Sequence, residues 1–271
     1  ARHVVLAGGG INTPALLLRS AAPDPHRLIG RRTFLHPTTG SASQFADPVD
    51  AFAGAPQSIY SDHFLDTYPI DGPLGFKLEV PPVHPMLIAS TLVGVGEEHA
   101  AWMKRIRHLH PVLALLRDGF HDESAGGTVQ LRDDGSPLLD YPLTPIVMDG
   151  VRRALLAMAE IQFAAGAQLV APFHERGRPV RTLAEARAQI ARLPMRPPQA
   201  KVVSAHVMGG CGMSPDPAMG VTDSHGTFHQ AGNLSIIDGS LFPTSLGTNP
   251  QLSIYALAAR AATALAARLS R

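Results

Sequence analysis

The stretch NLSIIDGSLFPTSLGTNPQLSIYALA, from Asn233 to Ala258, holds two readings that together decide the fold. Its first part is a turn at Gly232 and a short β-rich run that ends in Asp238-Gly239. Ligands of open α/β sheets bind at such strand ends. Its second part starts a helix, because Asn249 is a good N-cap residue, Pro250 is pre-organised for a first helical position, and an apolar pattern follows. Ile254, Leu257, Ala258, Ala261, Leu265 and Leu269 fall three or four apart, so a helix from about Pro250 to Arg268 is expected to bury one face. Unpaired N–H groups and the positive end of the dipole suit its mouth, Pro250 and Gln251, to an anion or to a carbonyl that gains negative charge.

Upstream, HVMGGC from His206 to Cys211 places an imidazole before two glycines. The glycines let backbone approach a ligand closely, and a histidine titrates in the range that suits a proton acceptor near neutrality. At the start of the chain, Val4-Val-Leu-Ala7 reads as a buried strand, Gly8-Gly9-Gly10 as a turn, and Thr13-Pro14 as the cap and first turn of a short helix. Strand, glycine turn and helix make a nucleotide-binding shape. They do not make the G-x-G-x-x-G fingerprint, because Thr13 stands where its last glycine belongs.

These three stretches, HVMGGC, NLSIIDGSLFPTSLGTNPQLSIYALA and VVLAGGGINTPALLLRS from Val4 to Ser20, resemble the glucose-methanol-choline (GMC) family of flavin oxidoreductases in content, order and spacing. The resemblance implies FAD as cofactor and oxidation of an alcohol, with His206 accepting the hydroxyl proton and Asn249 at the second catalytic position. It implies a cofactor-binding set of Gly8, Gly9, Asp238, Gly239, Asn249, Pro250 and Gln251. The Asn variant resembles the branch of cholesterol oxidases and long-chain alcohol oxidases, which implies a long-chain or sterol-like alcohol as substrate. In that branch a glutamate also approaches the flavin, and GFKLEVPPVHP from Gly75 to Pro85 is similar to the corresponding stretch, making Glu79 the third catalytic candidate. The expected fold is an α/β domain of the FAD/NAD(P)-binding type, lacking its N-terminal βαβ unit, with an inserted α+β substrate-binding domain. Family members carry the fingerprint in a region that this sequence does not contain, so the isolated chain is expected to bind FAD weakly and to be inactive.

The bounds agree with a folded, uncharged-on-balance protein. Its 271 residues are 45% hydrophobic, enough for a packed core. A net charge of +1 with both signs interspersed gives neither a nucleic-acid patch nor an anionic-membrane surface. The single cysteine excludes an intrachain disulfide and is compatible with a reducing compartment; with no signal peptide visible, a cytoplasmic location is the expectation. No run of about 18 apolar residues and no signal peptide is read from the sequence, and no integral membrane segment is expected.

Between the two flavin-type pieces the texture changes from about Ile29 to Gly, Pro and Ser with short aromatic-containing runs, and Arg32-Thr-Phe-Leu-His-Pro37 reads as a crossing between domains. The expected division is 1–31 and 198–271 for the FAD-binding domain and 32–197 for the substrate domain. Within the latter, Gln57 to Phe64 and Leu74 to Val80 read as strands, and Glu98 to Leu116 as a helix kinked near Pro111. Val129 to Tyr141 reads as a hairpin turning at Asp134-Gly135, and Asp149 to Ala165 as a helix closed by Gly166. Thr182-Leu-Ala-Glu185 reads as a capping box opening a helix to about Leu193.

Each candidate also has a plainer reading. Asn249 serves as an N-cap, Asp238 ends a strand, Gly239 makes a turn, and Glu79 is either a solvated strand-edge charge or a substrate-facing base. A His/Cys metal site built from His225 and His229 near Cys211 and His206 is a competing class, but one cysteine supplies no thiolate pair, and no metal is expected. A serine hydrolase built on Ser240 lacks the G-x-S-x-G elbow. An inactive fragment of the flavin enzyme shares every motif with the active one.

Overall fold

The computed structural model describes residues 1–55, 57–82, 84–92 and 94–270. In chain order the elements are β1 (Val4–Leu6), α1 (Gly9–Arg19), β2 (Arg31–Phe34), β3 (Thr38–Gln44), β4 (Tyr60–Ser61), β5 (Phe76–Glu79), α2 (Pro85–Thr91) and α3 (Glu97–Lys104). Then follow β6 (Leu109–Leu116), β7 (Gly127–Leu131), β8 (Pro137–Asp140), α4 (Pro145–Ala164), β9 (Leu169–Pro172), α5 (Leu183–Arg192), β10 (Met208–Gly209), β11 (Leu234–Ile236) and α6 (Gln251–Leu269). Two compact units share them: unit 1 is Ala1–His36, Arg117–Pro142 and Ser204–Arg271, and unit 2 is Pro37–Leu116 and Leu143–Val203. The breaks between the units fall at 36/37, 116/117, 142/143 and 203/204. The segment Arg117–Pro142, placed by sequence in the substrate domain, belongs to unit 1.

Unit 1 contains a parallel pair, β1 with β11, in the register Val4 to Leu234 and Leu6 to Ile236. It also contains an antiparallel sheet in the order β10-β2-β7-β8. Leu17 of α1, Ile29, Cys211, Val221, Phe228, Ile236 and Leu241 form its core. The β7–β8 hairpin turns as its Asp-Gly pair requires, with Gly135 at φ +77° and its N–H donated to Arg132 O. Helix α1 begins earlier than the sequence reading placed it. Gly8 is its N-cap and Thr13-Pro14 lie inside it, because Thr13 Oγ1 accepts the Gly8 N–H at 2.8 Å and closes the first turn from within.

Unit 2 is an antiparallel sheet in the order β4-β5-β6-β3-β9 with α4 packed on it. Val147, Val151, Ala154, Leu155 and Met158 of α4 meet Phe76, Leu78, Val112, Ala114 and Leu116 of the sheet. Gly150 makes this approach possible, since a Cβ there would lie 2.3 Å from Leu116 Cδ2. Helix α4 starts at Pro145, a turn before Asp149, because Pro145 is pre-organised for the first helical position; Thr144 occupies the N-cap without a side-chain cap bond. Gly166 follows its end at φ +94°, as expected.

Two sequence readings fail in unit 2. The long helix over Glu98–Leu116 is instead the short α3 and the strand β6. An apolar run such as Leu109–Leu116 fits a buried strand as well as a buried helix, and periodicity alone does not separate them. Pro111 is tolerated there because it lies past the last β5 pair, Glu79 with Leu113, on a stretch of β6 paired to β3 alone. The strand over Gln57–Phe64 shrinks to Tyr60–Ser61, because Gln57 takes φ +53° and Leu65 N–H closes a turn onto Asp62 O.

The capping box of α5 is present in full: Thr182 Oγ1 accepts the Glu185 N–H at 3.2 Å, and Glu185 Oε2 accepts the Thr182 N–H at 3.2 Å. Thr182→Ala is expected to destabilise unit 2 by about 1 kcal/mol, the usual worth of such a cap. A denaturation midpoint that falls by that amount at unchanged cooperativity checks it.

Candidate functional site

The site in unit 1 is built on the turn that follows β11. Asp238 caps this turn, its Oδ1 accepting the Ser240 N–H at 2.7 Å. Its Oδ2 accepts the Gly9 N–H at 2.9 Å and the Thr13 hydroxyl at 2.6 Å. One carboxylate therefore ties the end of the parallel strand to the start of α1.

Gly239 is where the remaining pieces close. A side chain there would stand 3.1 Å from Ile254 Cδ1, in the first turn of α6, and 3.5 Å from Val207 O, the residue after His206. Val207 also packs on α1, its Cγ1 lying 3.0 Å from where a Cβ of Gly10 would be. The segment that carries His206 and the first turn of α6 thus converge on one glycine, although they are distant in sequence. The first helical hydrogen bond of α6 runs from Ile254 N–H to Pro250 O, so the N–H groups of Gln251, Leu252 and Ser253 belong to the open mouth. Asn249 is half-buried beside that mouth and Pro250 is buried.

His206 is half-buried, and its Nδ1 lies 3.0 Å from Nδ1 of the fully buried His36. The two rings are tilted by 30° with centroids 5.2 Å apart. Ser204 stitches their backbones together: its hydroxyl donates to Leu35 O and accepts the His206 N–H at 3.4 Å. Leu35 N–H donates to Asp118 Oδ2 at 3.3 Å, and the Tyr141 hydroxyl donates to the same oxygen at 2.6 Å. Asp118 is fully buried, and burial pushes its carboxyl above the usual range against the opposing hydrogen bonds of Tyr141, Ser245 and Leu35. Burial and the neighbouring Asp118 likewise push the Tyr141 phenol up.

The structure brings His206, Asn249, Pro250, Gln251, Asp238, Gly239, Gly8 and Gly9 together in unit 1. Glu79 lies in unit 2 on β5, and it is not a solvated edge charge. It is buried, with Oε1 3.4 Å from Lys77 Nζ and Oε2 accepting from Gln57 Nε2 at 3.2 Å. His229 Nε2 sits 3.0 Å from Ser214 O, and no group of three His, Cys, Asp or Glu side chains able to hold a metal occurs among the described residues. Ser240 is fully buried against Cys211, whose thiol burial pushes up, so neither is a ready nucleophile. Sequence reasoning missed His36, Asp118 and Tyr141. Only the chain fold brings His36 to His206, and nothing in the local pattern around Leu35-His36-Pro37 marks it.

A family model described as GMC oxidoreductase matches residues 122–258, and a second of the same description matches residues 1–38. The chain belongs to the GMC oxidoreductase family. An uncharacterised GMC-type oxidoreductase of Mycobacterium tuberculosis is 29% identical over 94% of this chain and 38% of its own length. A long-chain-alcohol oxidase of Arabidopsis thaliana is 25% identical over 95% of this chain and 36% of its own length. The solved pyridoxine 4-oxidase from Mesorbium loti shares the fold with a TM-score of 0.62 at 19% identity, over 96% of this chain and 51% of that one. This GMC chain spans about 36 to 38% of the length of those two curated relatives.

FAD is the cofactor of the family, and unit 1 offers features that fit it. The α6 mouth supplies backbone N–H donors for an electron-rich carbonyl edge. Gly9, at φ +78°, has nothing within 4 Å of where a Cβ would stand, so a ligand can approach its backbone. The N–H groups of Gly8 and Gly9 are already given to Thr13 and Asp238. These two glycines therefore offer surface rather than N–H donors.

The raised pKa of Asp118 gives a pH dependence with a fixed sign. Its contribution is fully present below the unfolded value of 3.8 and is lost as pH rises through the higher folded value. Asp118→Asn, which keeps one acceptor oxygen and cannot ionise, is expected to be more stable than the parent at pH 7 and to lose that advantage below about pH 4. Melting temperatures of both proteins at the two pH values check it.

Proposed function

We propose that this chain forms the substrate-oxidising half of an FAD-dependent enzyme that converts an alcohol to an aldehyde or ketone. The observation that carries this reading is the convergence of the His206 segment and the α6 mouth on Gly239. His206 holds the hydroxyl proton released by the alcohol, at the nitrogen not facing His36. Asn249 hydrogen-bonds the alcohol oxygen or the cofactor edge and keeps it at the helix mouth. The N–H groups of Gln251 and its neighbours, with the positive end of the α6 dipole, stabilise negative charge that develops there. FAD, when bound, supplies the acceptor for the hydride leaving the carbinol carbon. Glu79, on β5 of unit 2, has its oxygens engaged by Lys77 and Gln57 and is given no step here.

A long-chain or sterol-like primary or secondary alcohol is the proposed substrate class, supported by the named activity of the Arabidopsis relative. This reading concerns the whole protein, assayed with FAD bound. His206→Ala is expected to slow single-turnover flavin reduction by a long-chain alcohol by ~100-fold or more, the range of a lost general base. An unchanged reduction rate would refute the role given to His206.

A further inference from the structure

A base that takes a proton at one imidazole nitrogen must carry its own proton at the other. The contact between His206 and His36 decides which nitrogen that is. Two neutral imidazoles facing each other through Nδ1 atoms 3.0 Å apart share one proton between those atoms, because two protons would clash and none would leave two lone pairs opposed. We infer that His36 is a positioning residue that fixes the tautomer of His206: His206 carries its proton on Nδ1 and donates it to Nδ1 of His36, leaving its Nε2 lone pair for substrate. The choice between the two donors rests on the proposed role of His206 as proton acceptor; the pairing itself rests on the geometry alone.

Several features hold this pair in register. His36 is fully buried and takes φ +52°, a left-handed backbone that a non-glycine residue adopts only when its surroundings enforce it. Leu35, just before it, is gripped at both backbone groups, its N–H by Asp118 and its carbonyl by Ser204. Ser204 also accepts the backbone N–H of His206, so one hydroxyl fixes the spacing of the two histidine backbones. In catalytic triads a carboxylate orients the histidine. Here the imidazole of His36 takes that place, and the nearby carboxylate, Asp118, acts on the Leu35 backbone.

The arrangement also serves the protonated state. When His206 accepts a proton on Nε2 it becomes a cation with both nitrogens protonated, and its hydrogen bond to the His36 lone pair becomes charge-assisted. Losing that acceptor should cost about 10- to 100-fold in the rate of proton abstraction, the worth of one hydrogen bond to a charged group.

Two substitutions separate this role from packing. Asn at position 36 keeps an acceptor oxygen near the place of Nδ1, whereas Phe keeps ring volume and removes the acceptor. Two-bond proton–nitrogen NMR spectra of the intact, 15N-histidine-labelled protein, with His206 assigned by difference against His206→Ala, read the tautomer directly. The expected results are an Nδ1–H tautomer for His206 in the parent and in His36→Asn, with loss of that preference in His36→Phe. Single-turnover rates should fall about 10- to 100-fold in His36→Phe and only a few-fold in His36→Asn, even where Phe is the more stable of the two variants. An Nε2–H tautomer in the parent, or an unchanged tautomer in His36→Phe, would overturn the inference. Because the spectra do not depend on turnover, the two readings fail separately. An Nδ1–H tautomer with an active His206→Ala protein sinks the base role and keeps the donor assignment, and an Nε2–H tautomer with an inactive one keeps the need for His206 and sinks the donor assignment.

Discussion

The carboxylate of Asp238 is the tie on which the rest of unit 1 depends. It takes a backbone N–H from Ser240, a backbone N–H from Gly9 and the hydroxyl of Thr13, and so joins the end of β11, the turn after it and the start of α1. A half-buried carboxylate gives up part of its hydration, and hydrogen bonds to a charged group return roughly 1.5–3 kcal/mol each. Three such bonds are what make the position tolerable, and removing any one shifts the balance. With the turn held, Gly239 presents a bare backbone against which both Ile254 and Val207 close. The chemistry that we assign to His206 and to the α6 mouth follows from that close approach.

The parts legible in the sequence are those with local physical causes. The Thr182 capping box and the Asp134-Gly135 hairpin turn each depend on residues within a few positions of one another, whereas α6 starts one residue later than its Asn249-Pro250 signal, with Pro250 itself at the N-cap and no side-chain cap bond. The stripe Ile254, Leu257, Ala258, Ala261, Leu265 and Leu269 is the less exposed side of α6, but only Ala261 of it is buried, so the face is covered less than its spacing predicted. Where several structures satisfy the same local pattern, the sequence reading failed. Leu109–Leu116 is apolar at nearly every position, and sheet pairing on both sides decided for a strand. Thr13-Pro14 has the composition of a helix start, but a tertiary bond to Asp238 drew Thr13 into the interior of α1.

The site shows the same division. His206, Asn249, Asp238 and Gly239 lie in contiguous motifs, and a motif can be read off a line. His36 lies in a stretch that reads as a crossing between domains, at the end of the first segment of unit 1. Its partner is brought to it by the pairing of β10 with β2, in which Met208 stands opposite Phe34 and Gly209 opposite Thr33. That register places His206 and His36 two residues beyond the same pair of strands. Gly209, at φ +78°, allows the pairing, since a Cβ there would lie 2.1 Å from Arg32 O. Asp118 and Tyr141 escape for a related reason: each is ordinary in its own neighbourhood, and only the fold brings the Tyr141 hydroxyl to the buried Asp118 carboxylate.

Helix α6 sets the direction of the dipole at the site, so what holds it in place matters. By length and composition it is apolar enough to cross a membrane, contrary to the expectation from sequence, and its outer face exposes Leu252 by 80% and Tyr255 by 59%. Two arginines argue for its place on unit 1. Arg260, near its middle, donates to Ser224 O at 2.5 Å, and Arg268 donates to Thr227 Oγ1 at 3.4 Å. An arginine at the centre of a spanning helix costs about 2.5–3.5 kcal/mol. On unit 1 the same side chain keeps its hydration and gains a carbonyl. With Ile254 seated on Gly239 at one end and Arg268 bonded at the other, the helix neither slides nor rotates without breaking a contact. Its first turn therefore stays against Gly239, where the Val207 carbonyl also closes, and that fixed placement, more than the composition of the helix, is what the proposed chemistry requires.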